Sequence, residues 1–118
     1  MSSIEAKSFA QADETRSPAK TRIDVVNVGG AEVGRITFQP GWRWSECIRP
    51  IAGTEYCQND HVGVLQSGRL SVTHQDGTEV EIGAGDAYRI TPGHDAWVVG
   101  DEPVVAYEFK SAGTYAKA

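Results

Sequence analysis

A thiol and an imidazole lie four positions apart in the segment Cys57-Gln-Asn-Asp-His61. In a β-rich fold, both side chains can face inward if a tight turn lies between them. Together with a carboxylate such as Glu55 they would suit Zn²⁺ or Fe²⁺, because sulfur and imidazole nitrogen ligands favour these ions over Ca²⁺ or Mg²⁺. Three protein ligands would leave one coordination position open, as catalysis requires.

Each of these residues also has a purely structural interpretation. His61 would then be a hydrogen-bonded pocket residue, and Cys57 a small buried hydrophobe. Glu55 follows Gly53 and Thr54, and a carboxylate in such a segment is usually a solvated loop residue. In this interpretation the chain holds no metal ion.

His94 is a further candidate ligand. It follows Pro92-Gly93, which predicts a turn. A histidine there can bind a metal, or act as a catalytic general acid or base, because its ordinary pKa is near 6.5. The alternative is a plain turn residue beside Asp95. His74, next to the predicted Asp76-Gly77 hairpin, is expected at the surface.

Large aromatic residues predict a binding pocket. Trp42 and Trp44 alternate with Arg43, so in an extended segment the two indoles share one face and Arg43 takes the other. We expect Trp44, Tyr88 and Trp97 to line a pocket for a small molecule. The alternative for the tryptophans is a place in the core or at a subunit interface.

The elements that must position these residues are short runs of β-branched and aromatic residues. Glycine-containing turn pairs such as Gly29-Gly30 and Ser67-Gly68 separate many of the runs, and no ten-residue segment has a helical apolar period. The pattern predicts an all-β sandwich or barrel. The runs are Arg22–Val28, Glu32–Phe38, Trp42–Glu46, Thr54–Cys57, His61–Leu65, Leu70–Thr73, Val80–Ile82, Tyr88–Ile90, Ala96–Val99 and Val104–Phe109.

The chain is long enough for one domain. Its 118 residues divide into residues 1–20, which lack apolar periodicity, and residues 21–118, which carry the strand pattern. We expect residues 1–20 to be a mostly irregular tail, or an arm ordered by contact with a partner chain. Such an arm could cover an open sheet edge, so a homodimer is expected.

Charge and hydropathy limit the partners. The net charge is −5, which argues against a nucleic-acid surface. The N-terminal residues lack the apolar core of a secretory signal, and no segment has the roughly 20 apolar residues of a membrane span. We therefore expect a cytoplasmic protein with no membrane contact, in which Cys47 and Cys57 are reduced thiols.

Two segments resemble the two motifs of the cupin superfamily. They are Thr54-Glu-Tyr-Cys-Gln-Asn-Asp-His-Val-Gly-Val-Leu-Gln-Ser-Gly-Arg-Leu and Gly85-Asp-Ala-Tyr-Arg-Ile-Thr-Pro-Gly-His-Asp-Ala-Trp. The likeness covers roughly residues 40–109. It implies a double-stranded β-helix, or jelly-roll barrel, whose interior holds Fe, Mn, Zn or Ni on three histidines and a glutamate.

The resemblance implies a changed ligand set in the first motif. If Gly68 is its final glycine, His61 takes the Glu position, and Glu55 and Cys57 take the two His positions. An alternative register places Glu46 or Cys47 in that strand, with residues 48–60 as a long loop.

In the second motif, Gly85 and Gly93 match the two glycines. Thr91 then stands at the proline and Ala96 at the histidine, and His94 precedes that position by two residues. The resemblance thus leaves the fourth ligand position without a histidine.

Two functions from different classes remain open at this stage. The first is a metal-dependent enzyme acting on a small organic molecule, by oxygenation, isomerisation or decarboxylation. The second is a metal-free barrel that binds or senses a small molecule without catalysis.

Overall fold

The computed structural model describes residues 3–110 and 112–117. The first two residues of the predicted arm and residues 111 and 118 of the predicted domain lie outside the described residues. Within them, nine strands and a few short helical segments are present. The strands are β1 Glu14–Arg16, β2 Thr21–Val28, β3 Ala31–Phe38, β4 His61–Ser67, β5 Arg69–His74, β6 Glu79–Gly83, β7 Ala87–Ile90, β8 His94–Val98 and β9 Val104–Lys110.

Two antiparallel sheets enclose the core. One has the order β1-β2-β3-β9-β4-β7, and the other has the order β6-β5-β8. Their inward residues alternate with outward ones, as in β8, where His94, Ala96 and Val98 are buried and the two residues between them are half-buried. The predicted all-β fold is confirmed.

Helices replace the predicted strand Trp42–Glu46, and that prediction was wrong. Only Arg43 forms a β-bridge, to Trp97; then α1 (Trp44–Cys47) and α2 (Arg49–Ala52) follow. Pro50 lies in the first turn of α2, where its missing N–H is tolerated, whereas in a strand it would remove a ladder hydrogen bond. The segment Thr54–Cys57 is likewise no strand, because only Cys57 forms a bridge, to His94.

The N-terminal residues join the six-stranded sheet of their own chain. Phe9–Gln11 forms a 3₁₀ turn, and β1 pairs with Ile23–Val25 of β2. The Phe9 ring lies 5.6 Å from the ring of Tyr107 on the outer face of that sheet. This part of the predicted arm therefore packs against the sheet of its own chain.

Helix length gives one further result. In the part of the chain that the structure describes, no helix is long and apolar enough to span a membrane.

Candidate metal centre

Three potential metal ligands meet inside the barrel. One ligand atom from each of Cys57, His61 and His94 lies within 4.8 Å of the other two. All three residues are buried, with 2 to 4% of their surface exposed.

Local backbone contacts position the three residues. His61 begins β4 and His94 begins β8. The Cys57 N–H donates to the His94 carbonyl at 2.8 Å, and the Gly93 N–H donates to the Cys57 carbonyl at 2.7 Å. Gly93 has φ +101°, a conformation that favours glycine, so the turn before β8 brings Cys57 beside His94.

Hydrogen bonds at the Nδ1 atoms orient both imidazoles. His61 Nδ1 lies 2.7 Å from Glu108 Oε1, and His94 Nδ1 lies 2.7 Å from the Thr91 carbonyl oxygen, which can only accept. Each ring therefore turns its Nε2 toward the cluster, and His61 Nε2 lies 3.6 Å from Cys57 Sγ. Metal-bound histidines are usually held this way, with the second nitrogen donating to a carboxylate or a carbonyl.

The electrostatics favour a thiolate in this cluster. Burial raises the pKa of Cys57, but hydrogen bonds with His61 and His94 outweigh burial and lower the pKa from 9.0 to about 6. Burial lowers the pKa of His61, but the charge of Glu108 and the hydrogen bonds with Cys57 and Glu108 together outweigh burial and raise the pKa above its ordinary value. A thiolate is the form of cysteine that binds metals.

The distance between the Cys57 and His61 donors, and the chemistry of all three donors, match a tetrahedral ion. Zn–S bonds of about 2.3 Å and Zn–N bonds of about 2.0–2.1 Å at a tetrahedral angle separate sulfur from nitrogen by about 3.6 Å. The Cys57 Sγ to His61 Nε2 distance is 3.6 Å. One thiolate and two imidazoles are a ligand set suited to Zn²⁺ or Fe²⁺. The residues present therefore fit such an ion.

Solved structures share this architecture, although no protein-family profile and no curated protein matches the sequence. A protein of unknown function from Rhizobium leguminosarum is 26% identical with a TM-score of 0.63, covering 92% of this chain and 98% of its own. A Klebsiella pneumoniae protein with a double-stranded β-helix domain is 19% identical with a TM-score of 0.58, covering 96% and 88%. A cupin-like protein from Thermotoga maritima is 15% identical with a TM-score of 0.55, covering 76% and 67%.

This chain has the cupin fold. The fold places the glycine of its first motif where only glycine fits, because Gly68 has φ +81° and a Cβ there would lie 2.5 Å from the Pro103 carbonyl oxygen. The second motif shows a displaced histidine. Ala96 and His94 lie two residues apart on β8 and face the same interior, so His94 reaches the cluster from the neighbouring inward position.

The structure does not bring the other predicted acidic ligands to this cupin interior. Glu55 is exposed, in a bend where the Thr54 hydroxyl donates to the Tyr56 carbonyl at 2.7 Å. In the alternative register, Glu46 is exposed on α1 and Cys47 is buried in the core at one end of that helix. Cys57, rather than Cys47, is the cysteine that contacts His61.

The predicted pocket residues divide between two faces of the barrel. Trp44 and Tyr88 line a small internal cavity of about 30 Å³, together with His61 and His94. Trp97 lies on the outward face of β8, half-buried beneath the Arg43 guanidinium, which is 4.5 Å from the indole centroid.

Two residues at the centre were not predicted. Glu108 is 5% exposed and accepts a hydrogen bond from the Tyr88 hydroxyl at 2.7 Å in addition to its contact with His61. Tyr115 is 3% exposed, with its ring centroid 5.1 Å from that of His61. The sequence did contain a signal for Glu108, because Val104 and Ala106 alternate with other residues and lie on the same face of β9 as Glu108. The larger Tyr107 and Phe109 favoured burial of the opposite face instead.

An outer cleft adjoins the internal cavity. It has a volume of about 450 Å³ and lies between the open edge strands β6 and β7, with Val80 and Ile82 on one side. Tyr88 and Ile90 line both the cleft and the internal cavity. A molecule in the cleft would therefore be separated from the histidines by these two side chains.

Proposed function

We propose that this cupin-type protein is a metal-dependent enzyme that holds one divalent transition metal ion, Zn²⁺ or Fe²⁺, on Cys57, His61 and His94. The observation that carries the proposal is the convergence of three buried donor atoms within 4.8 Å, with both imidazoles oriented through their other nitrogen. The substrate would be a small organic molecule entering from the cleft between β6 and β7.

Metal binding explains this cluster better than nucleophilic catalysis by the cysteine. A nucleophilic thiolate requires one imidazole and an orienting group, which His61 and Glu108 could supply. A second oriented imidazole, that of His94, has a role in coordination but none in such a pair.

The residues around the ion have separable roles. When bound, the ion would supply Lewis-acid polarisation at its open position. Glu108 holds His61 in the tautomer whose Nε2 faces the cluster, and the Thr91 carbonyl does the same for His94. The cavity around these residues is small and mostly apolar, which strengthens the electrostatic interactions within it.

Elemental analysis of protein purified without a His tag tests the proposal. We expect near-stoichiometric Zn or Fe in the wild type, and loss of the metal in Cys57→Ala, His61→Ala and His94→Ala. The chain supplies its own controls, because His74 and Cys47 are its remaining histidine and cysteine. His74→Ala and Cys47→Ala should keep the metal.

Two results would contradict the proposal. The first is a wild type that stays metal-free after reconstitution with Zn²⁺ and with anaerobic Fe²⁺. The second is metal that leaves equally in the control variants. A metal-free protein that still binds a small molecule in a thermal-shift screen, unaffected by chelator, would identify a binding module instead.

A further inference from the structure

Two buried indole N–H groups have no hydrogen-bond partner. Among residues 3–110 and 112–117, the buried side-chain nitrogens without a partner are Trp42 Nε1, Trp44 Nε1 and Arg16 Nε. Arg16 bonds through its other guanidinium nitrogens, whereas an indole has a single N–H and nothing else to donate. The two tryptophans are 2% and 1% exposed.

An unpaired buried donor is costly, so this pair calls for an explanation. Leaving one such group without a partner costs about 1–3 kcal/mol, and native structures contain few of them. An unseen water or a ligand in contact with the indoles would remove the cost.

Both indoles line the same internal cavity as His61 and His94. Its volume of about 30 Å³ is small, so it admits only a few atoms of a ligand. Another polar group of the wall is already paired, because the Tyr88 hydroxyl donates to Glu108. The two tryptophans of this wall therefore each carry an N–H donor that no protein group uses.

We propose that Trp42 and Trp44 form a hydrogen-bond donor site for an oxygen acceptor of the substrate, and that the substrate enters this cavity with a small carboxylate or a similar oxyanion. An indole nitrogen only donates, so its partner must be an acceptor. Donors fixed in a cavity without bulk water stabilise negative charge more strongly than water-exposed donors do. The inference rests on the proposed function, since two of the three proposed ligands, His61 and His94, line this cavity and a bound cation would also favour an anion.

The indole N–H signals provide a direct test. Full-length, Zn²⁺-loaded protein with ¹⁵N-labelled tryptophan should give three indole signals, because the chain contains Trp42, Trp44 and Trp97 alone. Single Trp→Phe substitutions assign them. On titration with sodium formate, the Trp42 and Trp44 protons should move downfield as they gain an acceptor, and the Trp97 proton should stay in place. The Kd for formate should rise about tenfold in Trp42→Phe or Trp44→Phe, the equivalent of one hydrogen bond of about 1.4 kcal/mol.

Trp97→Phe is the matched control, because its indole lies on the outward face under Arg43. That variant should keep the wild-type Kd for formate. It also identifies the outer signal if an interior variant fails to fold, so the wild-type titration still tests the inference.

The outcomes separate the inference from the proposed function. Loss of Zn²⁺ binding in the wild type would overturn the metal centre, and the same titration of metal-free protein would still report on the indoles. Zn²⁺ binding with interior indole signals that formate does not move would overturn the inference and leave the metal centre standing. Equal movement of all three signals would also overturn it, because it would indicate a nonspecific effect of the salt.

Discussion

Two clusters of ionisable residues draw on the same strands, but one is buried inside the barrel and the other is exposed. His61 on β4, Tyr88 on β7 and Glu108 on β9 meet inside the barrel. On the outside, Arg89 of β7 and Lys110 of β9 meet Asp60, the residue before β4. The outer distances to the Asp60 carboxylate are 3.2 Å for Arg89 and 3.0 Å for Lys110.

Asp60 and His61 are adjacent in the sequence, as are Tyr88 and Arg89, yet the two members of each pair lie in different electrostatic environments. Side chains of Arg89 and Lys110 are 65% and 59% exposed, so water and salt screen their attraction to Asp60. His61 and Glu108 are nearly inaccessible, and their partners are fixed by packing. Charge alone therefore does not hold such groups in fixed contact, and burial on the inward face is also required.

The largest expected difference is in the titration of Cys57. In the metal-free protein, its thiolate absorbance should fall as the pH drops through about 6 instead of about 9, roughly a thousandfold change in proton affinity. Because the folded state has the lower pKa, this ionisation stabilises the fold fully above pH 9, and the contribution is lost as the pH falls through about 6. An ultraviolet pH titration measures it.

Cysteine variants check the assignment of that titration. Cys57→Ser should remove the absorbance change near pH 6, and Cys47→Ser should preserve it. If the thiolate absorbance that depends on Cys57 changed near pH 9 instead of near pH 6, His61 and His94 would not stabilise the thiolate.

The next effect concerns the carboxylates of the two clusters. Glu108→Gln removes the charge next to His61 but keeps an oxygen acceptor, and it should weaken metal binding 10- to 100-fold, as mutation of a metal ligand's hydrogen-bond partner typically does. Asp60→Asn makes the same chemical change on the outer face and should leave the metal Kd unaltered. Competition with a chromophoric chelator measures both, and equal losses would contradict the comparison.

A smaller effect should follow from an added methyl group beneath the inner cluster. A Cβ at Gly63 would collide with the Tyr107 carbonyl oxygen and lie 2.8 Å from the Tyr88 hydroxyl. We expect Gly63→Ala to lower the free energy of unfolding by about 1–3 kcal/mol. Gly83→Ala is the control, because the nearest atom to its Cβ would be Asp86 Oδ2 at 3.7 Å. Urea unfolding distinguishes them, and equal stability would mean that the inner cluster is not tightly packed.

The smallest effect is expected for the outer cluster. Arg89→Ala should lower Tm slightly at low salt, and the difference from wild type should disappear in 1 M NaCl, where the screening length is about 3 Å. Differential scanning calorimetry at the two salt concentrations measures this. A large loss of stability that persists at high salt would show that the outer cluster is not an ordinary surface network.

Most of the fold could be predicted because alternation and turns are local signals. Runs such as Val104–Phe109 and Arg22–Val28 mark strands by their β-branched residues. The prediction for Trp42–Glu46 failed because alternating tryptophans are also typical of a strand. Both indoles are buried, but Trp42 precedes the Arg43 bridge and Trp44 begins α1. Strand β1 gave no apolar signal, since it is held by backbone pairing to β2.

The site was only partly predictable, for a different reason. Cys57, His61 and His94 could be named as ligands from their side-chain chemistry, and the structure brings them together. Predicting Glu108 requires knowing which face of β9 turns inward. The apolar Phe109 indicated the wrong face, because it is 57% exposed. Tyr115 comes from residues after the last strand, where neither period nor motif indicates a position.

The alternation of inward and outward residues in β8 has a consequence for finding candidate metal ligands in a sequence. Because every second residue of a strand faces the same interior, a candidate ligand two positions away reaches the same cavity, and His94 and Ala96 of β8 are such a pair. A search pattern with fixed spacing misses such a centre, whereas one that accepts a histidine two residues to either side would retrieve it. A designer could likewise transfer the imidazole between these positions to alter its approach to the ion while the sheet stays unchanged.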